Sequence, residues 1–103
     1  DLLVENIGDE AVHFRTDSSS NTIRNSVIRN TGKRQPGFGE GVYIGTAQSN
    51  WKGEKQDRSN DNKVLSNTIG PGVTAEAIDI KEGTSGGEII GNTFDGDGMT
   101  GAN

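Results

Sequence analysis

Three passages of this chain repeat one pattern: Glu10-Ala11-Val12-His13-Phe14-Arg15, Glu40-Gly41-Val42-Tyr43-Ile44-Gly45 and Glu76-Ala77-Ile78-Asp79-Ile80-Lys81. Each is followed by an aliphatic residue, a free position, Asn, Ser or Thr, and a large apolar residue: Ile23-Arg24-Asn25-Ser26-Val27, Leu65-Ser66-Asn67-Thr68-Ile69 and Ile90-Gly91-Asn92-Thr93-Phe94. Self-similarity at such a period means small structural units that bury their apolar faces only by stacking on one another. From each Glu to its Asn the separations are 15, 27 and 16 residues, and from each Asn to the next Glu they are 15 and 9. The smallest pair, 16 and 9, sets the unadorned repeat at 25 residues. A unit of that size, made of short strands and turns without a helix, is one coil of a parallel β-solenoid. The excess length falls in two insertions, about six residues around 33–39 and about eleven around 46–62, which are expected to project as irregular loops flanking the middle coil.

Composition taken alone points elsewhere, since 28% hydrophobic residues and a net charge of -5 over 103 residues approach the profile of a disordered chain. The apolar residues are too regular for that: they alternate with period two in short blocks bounded by Gly, Asn, Asp and Ser, which is a strand signal. The chain has no cysteine, which excludes a disulfide scaffold and a Cys-rich metal site. No apolar run is long enough to insert in a membrane and no signal peptide is present in these residues. The mild acidity argues against nucleic acid as a partner.

The blocks resemble the repeats of right-handed parallel β-helix proteins, the pectin-lyase-like superfamily, over essentially the whole chain. The resemblance implies an all-β fold, a right-handed parallel β-helix of about three to four coils forming a single segment over residues 1–103. Leu2-Leu3-Val4-Glu5-Asn6-Ile7 already reads as strand, and Gly101-Ala102-Asn103 stands where another coil is due. The segment is therefore expected to be incomplete at both ends, with a continuation of its own β-helix as the neighbour on each side. Asn25, Asn67 and Asn92 are expected to stack about 4.8 Å apart as a structural amide ladder.

Strand alternation sends Val12, Phe14, Val42, Ile44, Ile78 and Ile80 into the interior. It places three outer rows beside one another: a floor of Ala11, Gly41 and Ala77, then His13, Tyr43 and Asp79, then Arg15, Gly45 and Lys81. His13, Tyr43 and Lys81 are proton-transfer candidates, Arg15 can clamp a carboxylate, and Tyr43 offers a ring face to a sugar. The competing reading is that these polar side chains simply face water. Glu10, Glu40 and Glu76 take equivalent places in successive coils, where carboxylates about 4.8 Å apart repel by roughly 3 kcal/mol at an effective dielectric near 20. Partly buried, such a column calls for a cation, and hard oxygen donors favour Ca²⁺. Trp51 lies in the longer insertion among Lys52, Glu54, Lys55, Asp57 and Arg58, and either packs that loop against the coil or stacks on a sugar. Asp95-Gly96-Asp97-Gly98 is expected to cap its own backbone.

A narrower resemblance rests on Gly39-Glu40-Gly41-Val42-Tyr43-Ile44-Gly45-Thr46, Glu76-Ala77-Ile78-Asp79-Ile80-Lys81-Glu82-Gly83 and Ile90-Gly91-Asn92-Thr93-Phe94. These are similar to consecutive coils of the β-helix lyases that include alginate lyases and chondroitinase B. The resemblance implies Glu40 and Glu76 as Ca²⁺ ligands and Lys81, with a depressed pKa, as the base of a β-elimination on a uronate-containing polysaccharide. Tyr43 stands where the family has Arg, Glu82 where it commonly has Ser, and its downstream Arg-His pair is not within these residues. The expected protein is a secreted or cell-surface polysaccharide lyase with catalytic Lys81, Tyr43 and His13 and with Arg15, Asp79 and Trp51 on the sugar. The alternatives are a non-catalytic glycan-binding solenoid and a purely architectural one.

Overall fold

The computed structural model describes residues 1–51, 53 and 55–100; Lys52, Glu54 and the expected start of a further coil at 101–103 lie outside the described residues. The described residues contain ten strands of two or three residues, in order β1 (Leu3–Glu5), β2 (Val12–Phe14), β3 (Thr22–Arg24), β4 (Val27–Arg29), β5 (Val42–Ile44), β6 (Lys63–Leu65), β7 (Thr68–Ile69), β8 (Ile78–Ile80), β9 (Glu88–Ile90) and β10 (Thr93–Phe94). They form three sheets, ordered β1-β4-β7-β10, β2-β5-β8 and β3-β6-β9, and every pairing is parallel. The chain thus winds past the three sheets in turn, which is the expected β-helix. Among the described residues no helix is long and apolar enough to cross a membrane.

The register measures the insertions. Partners in the first sheet are 24 residues apart across β1 and β4, and 25 apart from Asn67 to Asn92. Val12 pairs with Val42, 30 residues on, while Ile23 pairs with Val64, 41 on. Six residues (30 − 24) are therefore inserted before β5 and eleven (41 − 30) after it. Among the described residues both form irregular loops, with 3₁₀ turns at Pro36–Phe38 and at Gln48–Asn50. The second is confined to residues 46–56, because from Asp57 onward the chain already stacks on the coil beneath: Thr16 and Asp17 donate to Asp57, and Ser20 donates to the Asn60 carbonyl.

The core is one cluster of aliphatic side chains to which all three sheets contribute, Ile23, Ile28, Val42, Ile44, Val64, Ile69 and Val73. Of the six expected interior residues in the second sheet, Val42 and Ile44 are buried. Val12, Phe14 and Ile78 are half-buried, and Ile80 is 52% exposed. Their direction is as expected; their burial falls short because β2 and β8 each have a paired strand on one side only.

Two sequence expectations are corrected here. The small residues at 11, 41 and 77 do not floor an outer groove. Ala11 and Ala77 pack on the core, and a Cβ on buried Gly41 would lie 2.9 Å from Ile69 Cγ2 and 2.6 Å from the Ala77 carbonyl oxygen. Alternation fails there because the chain is still rounding the corner into the strand. The amide ladder is also shifted by one residue: Ile23 pairs with Val64 and Ile28 with Ile69, so Ser26, not Asn25, stacks on Asn67. Adjacent Val27 and Ile28 make two alignments equally apolar, and Ile28 is the buried one. Leu65 and Ile90 accordingly face outward with Arg24, and Val64 takes the interior place.

Buried Asn67 accepts from the Ser26 N–H at 3.0 Å and donates to the Ile23 carbonyl at 3.0 Å and to Asn92 Oδ1 at 3.1 Å. A second ladder forms at the opposite end of the third sheet, where Asn62 Oδ1 accepts from the backbone and side chain of Asn21. Asn25 instead stacks with Ser66 and Gly91, all three at positive φ (51°, 53° and 68°), where the chain turns sharply between sheets. Asn67→Ala is expected to cost about 2–4 kcal/mol, because it strands buried backbone partners, whereas Asn25→Gly should change stability by less than about 1 kcal/mol. Denaturant titration of the two variants checks this, and equal losses would contradict the observed register.

Candidate active site

The outer face of the second sheet carries the expected row. His13 pairs in register with Tyr43, and Tyr43 with Asp79. The His13 and Tyr43 rings lie 4.3 Å apart at 58°. Beside them run Arg15, Gly45 and Lys81, each the residue after its strand, with backbone bonds from Gly45 N–H to Phe14 and from Lys81 N–H to Ile44 holding the alignment. Gly45 has φ 92°, and a Cβ there would lie 2.8 Å from Thr84 Cγ2. The column therefore has no side chain between its two cations, and Thr84 packs over Gly45 in its place.

The Glu column is also in place. Ala11 N–H donates to the Glu40 carbonyl and Gly41 N–H to the Glu76 carbonyl, so the three glutamates occupy equivalent positions in successive coils. Their side chains diverge. Glu10 turns to His13, 3.0 Å from Nδ1, while Glu40, Glu76 and Asp79 bring carboxylate oxygens within 4.8 Å of one another. Asp79, read from sequence as a sugar contact, is thus the third member of the carboxylate cluster. Its signal was present, an acid in the outer row of the coil that carries Glu76, but alternation alone gives no distance across a corner.

Burial pushes the Glu40 carboxyl above its ordinary value, and the negative charges of Glu76, Asp79 and Glu10 push it the same way. Glu40 is 6% exposed, so this charge is poorly screened by water. Three converging hard oxygen donors, with Lys81 as the one cation paired to them among the described residues, fit a hard divalent cation.

Lys81 Nζ lies 3.0 Å from Asp79 Oδ2 and 5.4 Å from the centre of the Tyr43 ring. The hydrogen bond to Asp79, with that carboxylate's charge, holds the Lys81 ammonium above the usual lysine range in spite of partial burial. The expectation of a depressed lysine pKa is therefore reversed in this arrangement, because the nearest charge is an anion. Burial raises the Tyr43 phenol, with Lys81 opposing and Asp79 and Glu40 reinforcing the shift, so Tyr43 is a protonated donor. His13 Nε2 lies 2.8 Å from the Gly45 carbonyl oxygen. With Glu10 on the other nitrogen, the ring is pinned between two acceptors and orients Tyr43 by contact.

Arg15 is exposed and stands apart from the carboxylates, on the side of the longer insertion. Trp51 fulfils the packing expectation: its indole N–H donates to the Thr46 carbonyl at 2.8 Å, and its ring lies against Gly83, where a Cβ would come within 2.9 Å of Cζ2. Gln48 N–H donates to Glu82, and Gln56 donates to the Gly83 carbonyl, so the loop is fastened to the turn that follows Lys81. At the far end of the chain Asp97 N–H donates to Asp95 Oδ1, the expected self-capping turn.

No family model matches the chain, and none of the curated proteins compared with it does. Among solved structures, an alginate lyase from Paenibacillus sp. str. FPU-7 superposes with a TM-score of 0.92 at 48% sequence identity, over 96% of this chain. The chain spans 33% of that lyase's length. Parallel sheets in repeating order and this similarity together make the chain a right-handed parallel β-helix segment that resembles the β-helix alginate lyases.

Proposed function

We propose that the protein is a secreted polysaccharide lyase that cleaves a uronate-containing polymer by β-elimination, with its reaction site on the outer face of the second sheet. The observation that carries this reading is one cluster: the Lys81 ammonium lies 3.0 Å from Asp79 and over the Tyr43 ring, beside the carboxylates of Glu40 and Glu76. The similarity to an alginate lyase makes alginate the first substrate to test. A polymer too large to enter a cell places such an enzyme outside it, and the chain belongs to a longer β-helix.

In this mechanism Lys81 takes the proton at C5, α to the uronate carboxylate, and the Tyr43 phenol donates to the departing glycosidic oxygen. Lys81 acts as a base only when its ammonium gives up a proton. Asp79 governs that step, since it partners Lys81 and also lies within 4.8 Å of Glu40 and Glu76. His13 holds the Tyr43 ring in place, and Asp79 is reassigned from sugar contact to the lysine and the cation position. Glu40, Glu76 and Asp79 would hold Ca²⁺, which when bound supplies neutralisation of the uronate carboxylate and acidifies the adjacent C–H.

Glu40→Gln and Glu76→Gln should each weaken Ca²⁺ binding about tenfold or more in calorimetric titration and lower turnover with it, since an amide is a poorer ligand for a hard cation. Unchanged Ca²⁺ affinity in both variants removes the cation from the account. A second reading, a glycan-binding solenoid without turnover, is favoured by the charged state of Lys81, which suits a carboxylate contact better than proton abstraction. Formation of unsaturated product separates the two.

A further inference from the structure

The loop over residues 46–56 and the first coil enclose a cleft of about 260 Å³, lined by Arg15, Asn50, Trp51, Lys55 and Gln56 among others. We propose that this cleft is a subsite for a second carboxylated sugar of the polymer, distinct from the position at Lys81. The proposal rests on the lyase reading for its choice of ligand, and on the cleft itself for its location.

Two cations, Arg15 and Lys55, line the cleft. It also contains Asp17 and Asp57, two negative charges whose oxygens are engaged in hydrogen bonds of the fold while the two cations are not paired with them. Asp57 is buried and accepts from Thr16 N–H, Asp17 N–H, Thr46 and Ser59, while Asp17 Oδ1 accepts from Arg58 N–H. Among the described residues Arg15 and Lys55 make no ion pair. Trp51 adds an indole wall whose N–H is already satisfied by Thr46, leaving its apolar surface as what it offers a ring. A guanidinium, an ammonium and an aromatic face around a small cleft suit one sugar bearing a carboxylate.

The placement fits a chain that also reaches Lys81. Arg15, Gly45 and Lys81 are one column on successive coils, so Arg15 stands two coil spacings, roughly 10 Å, from Lys81. Glycine between them puts no third side chain in that column, and Thr84 packs over the position. A pyranose ring is about as long as one coil is thick, so a polymer running along the solenoid axis with one uronate at Lys81 carries another to Arg15. The same hydrogen bonds that fasten the loop to the turn after Lys81 fix the cleft relative to the reaction site.

The test is chain-length dependence in the full-length protein. The ratio of kcat/KM for an oligouronate long enough to span both positions to that for the shortest cleaved oligouronate should fall about tenfold in Arg15→Gln and in Lys55→Ala. Trp51→Phe should keep most of this ratio, and Trp51→Ala should lose it. Folding is checked by the thermal midpoint of each variant. A ratio unchanged in both Arg15→Gln and Lys55→Ala, with elimination proceeding, overturns the subsite and leaves the lyase standing. If the wild type eliminates nothing, affinity for the saturated long oligouronate is read instead. A tenfold loss in the same two variants then supports the subsite while the lyase reading falls, and no loss overturns both.

Discussion

Lys81→Ala in the full-length protein should abolish the ultraviolet absorbance that reports unsaturated uronate ends, a loss of about a thousandfold or more in kcat, with polymer affinity changed by less than about threefold. The asymmetry follows from what the side chain does. A positioned proton acceptor contributes a factor of about 10²–10⁴ to such a step, while one ion pair on an extended binding face contributes little to affinity. Truncation removes the amine beside Tyr43 and Asp79 but leaves the backbone of the third coil, which is held by Lys81 N–H on the Ile44 carbonyl. Loss of binding in proportion to turnover would assign Lys81 to holding the carboxylate instead. Tyr43→Phe gives the complementary result: it keeps the ring under Lys81 and against His13 and removes only the proton donor, so kcat should fall with KM little changed.

Asp57→Asn should be among the most damaging substitutions outside the reaction site, costing about 2–4 kcal/mol at neutral pH. Burial alone opposes ionisation of this carboxyl more than any other single influence. The hydrogen bonds from Ser59, Thr46, Thr16 and Asp17 together outweigh it and hold Asp57 well below the usual carboxylate range. These donors come from the insertion, from the coil beneath and from its own turn, so one carboxylate ties three segments together. An amide turns two N–H groups toward donors. Because the folded state depresses this pKa, Asp57 contributes its stabilisation fully above the unfolded value, near 3.8, and loses it as pH falls through the lower folded value. Acid unfolding followed from pH 7 downward should therefore show the wild type losing its advantage over Asp57→Asn below about pH 4. An advantage that is constant with pH would contradict the role given to this carboxylate.

Much of this was legible in the residues, and where it was not the reasons are particular. The second sheet could be aligned correctly because each of its strands has one apolar parity, Val12 with Phe14, Val42 with Ile44 and Ile78 with Ile80, so a slip by one residue inverts it. The first coil of the other two sheets slipped because Val27 and Ile28 are both apolar and Asn25 mimics the ladder position that Ser26 occupies. The ladder of Asn21 and Asn62 carried no repeat signal, since the next coil has glycine at the matching place. Alternation also failed at the corners. It turned Ala11, Gly41 and Ala77 outward when they pack inward, and it gave no hint that Asp79 leans toward Glu40 while Glu10 leans toward His13. The sign of the Lys81 shift depended on that same lean, because the residue types on the outer row are compatible with either a depressed or an elevated lysine.

The most direct test of the central claim is a turnover assay of the full-length protein on alginate, glycosaminoglycan, pectate and glucuronan with Ca²⁺ present, read as absorbance of unsaturated uronate. The account predicts that absorbance rises on at least one of these polymers, alginate first, and that it stays flat in Lys81→Ala. No rise on any of the four would contradict it.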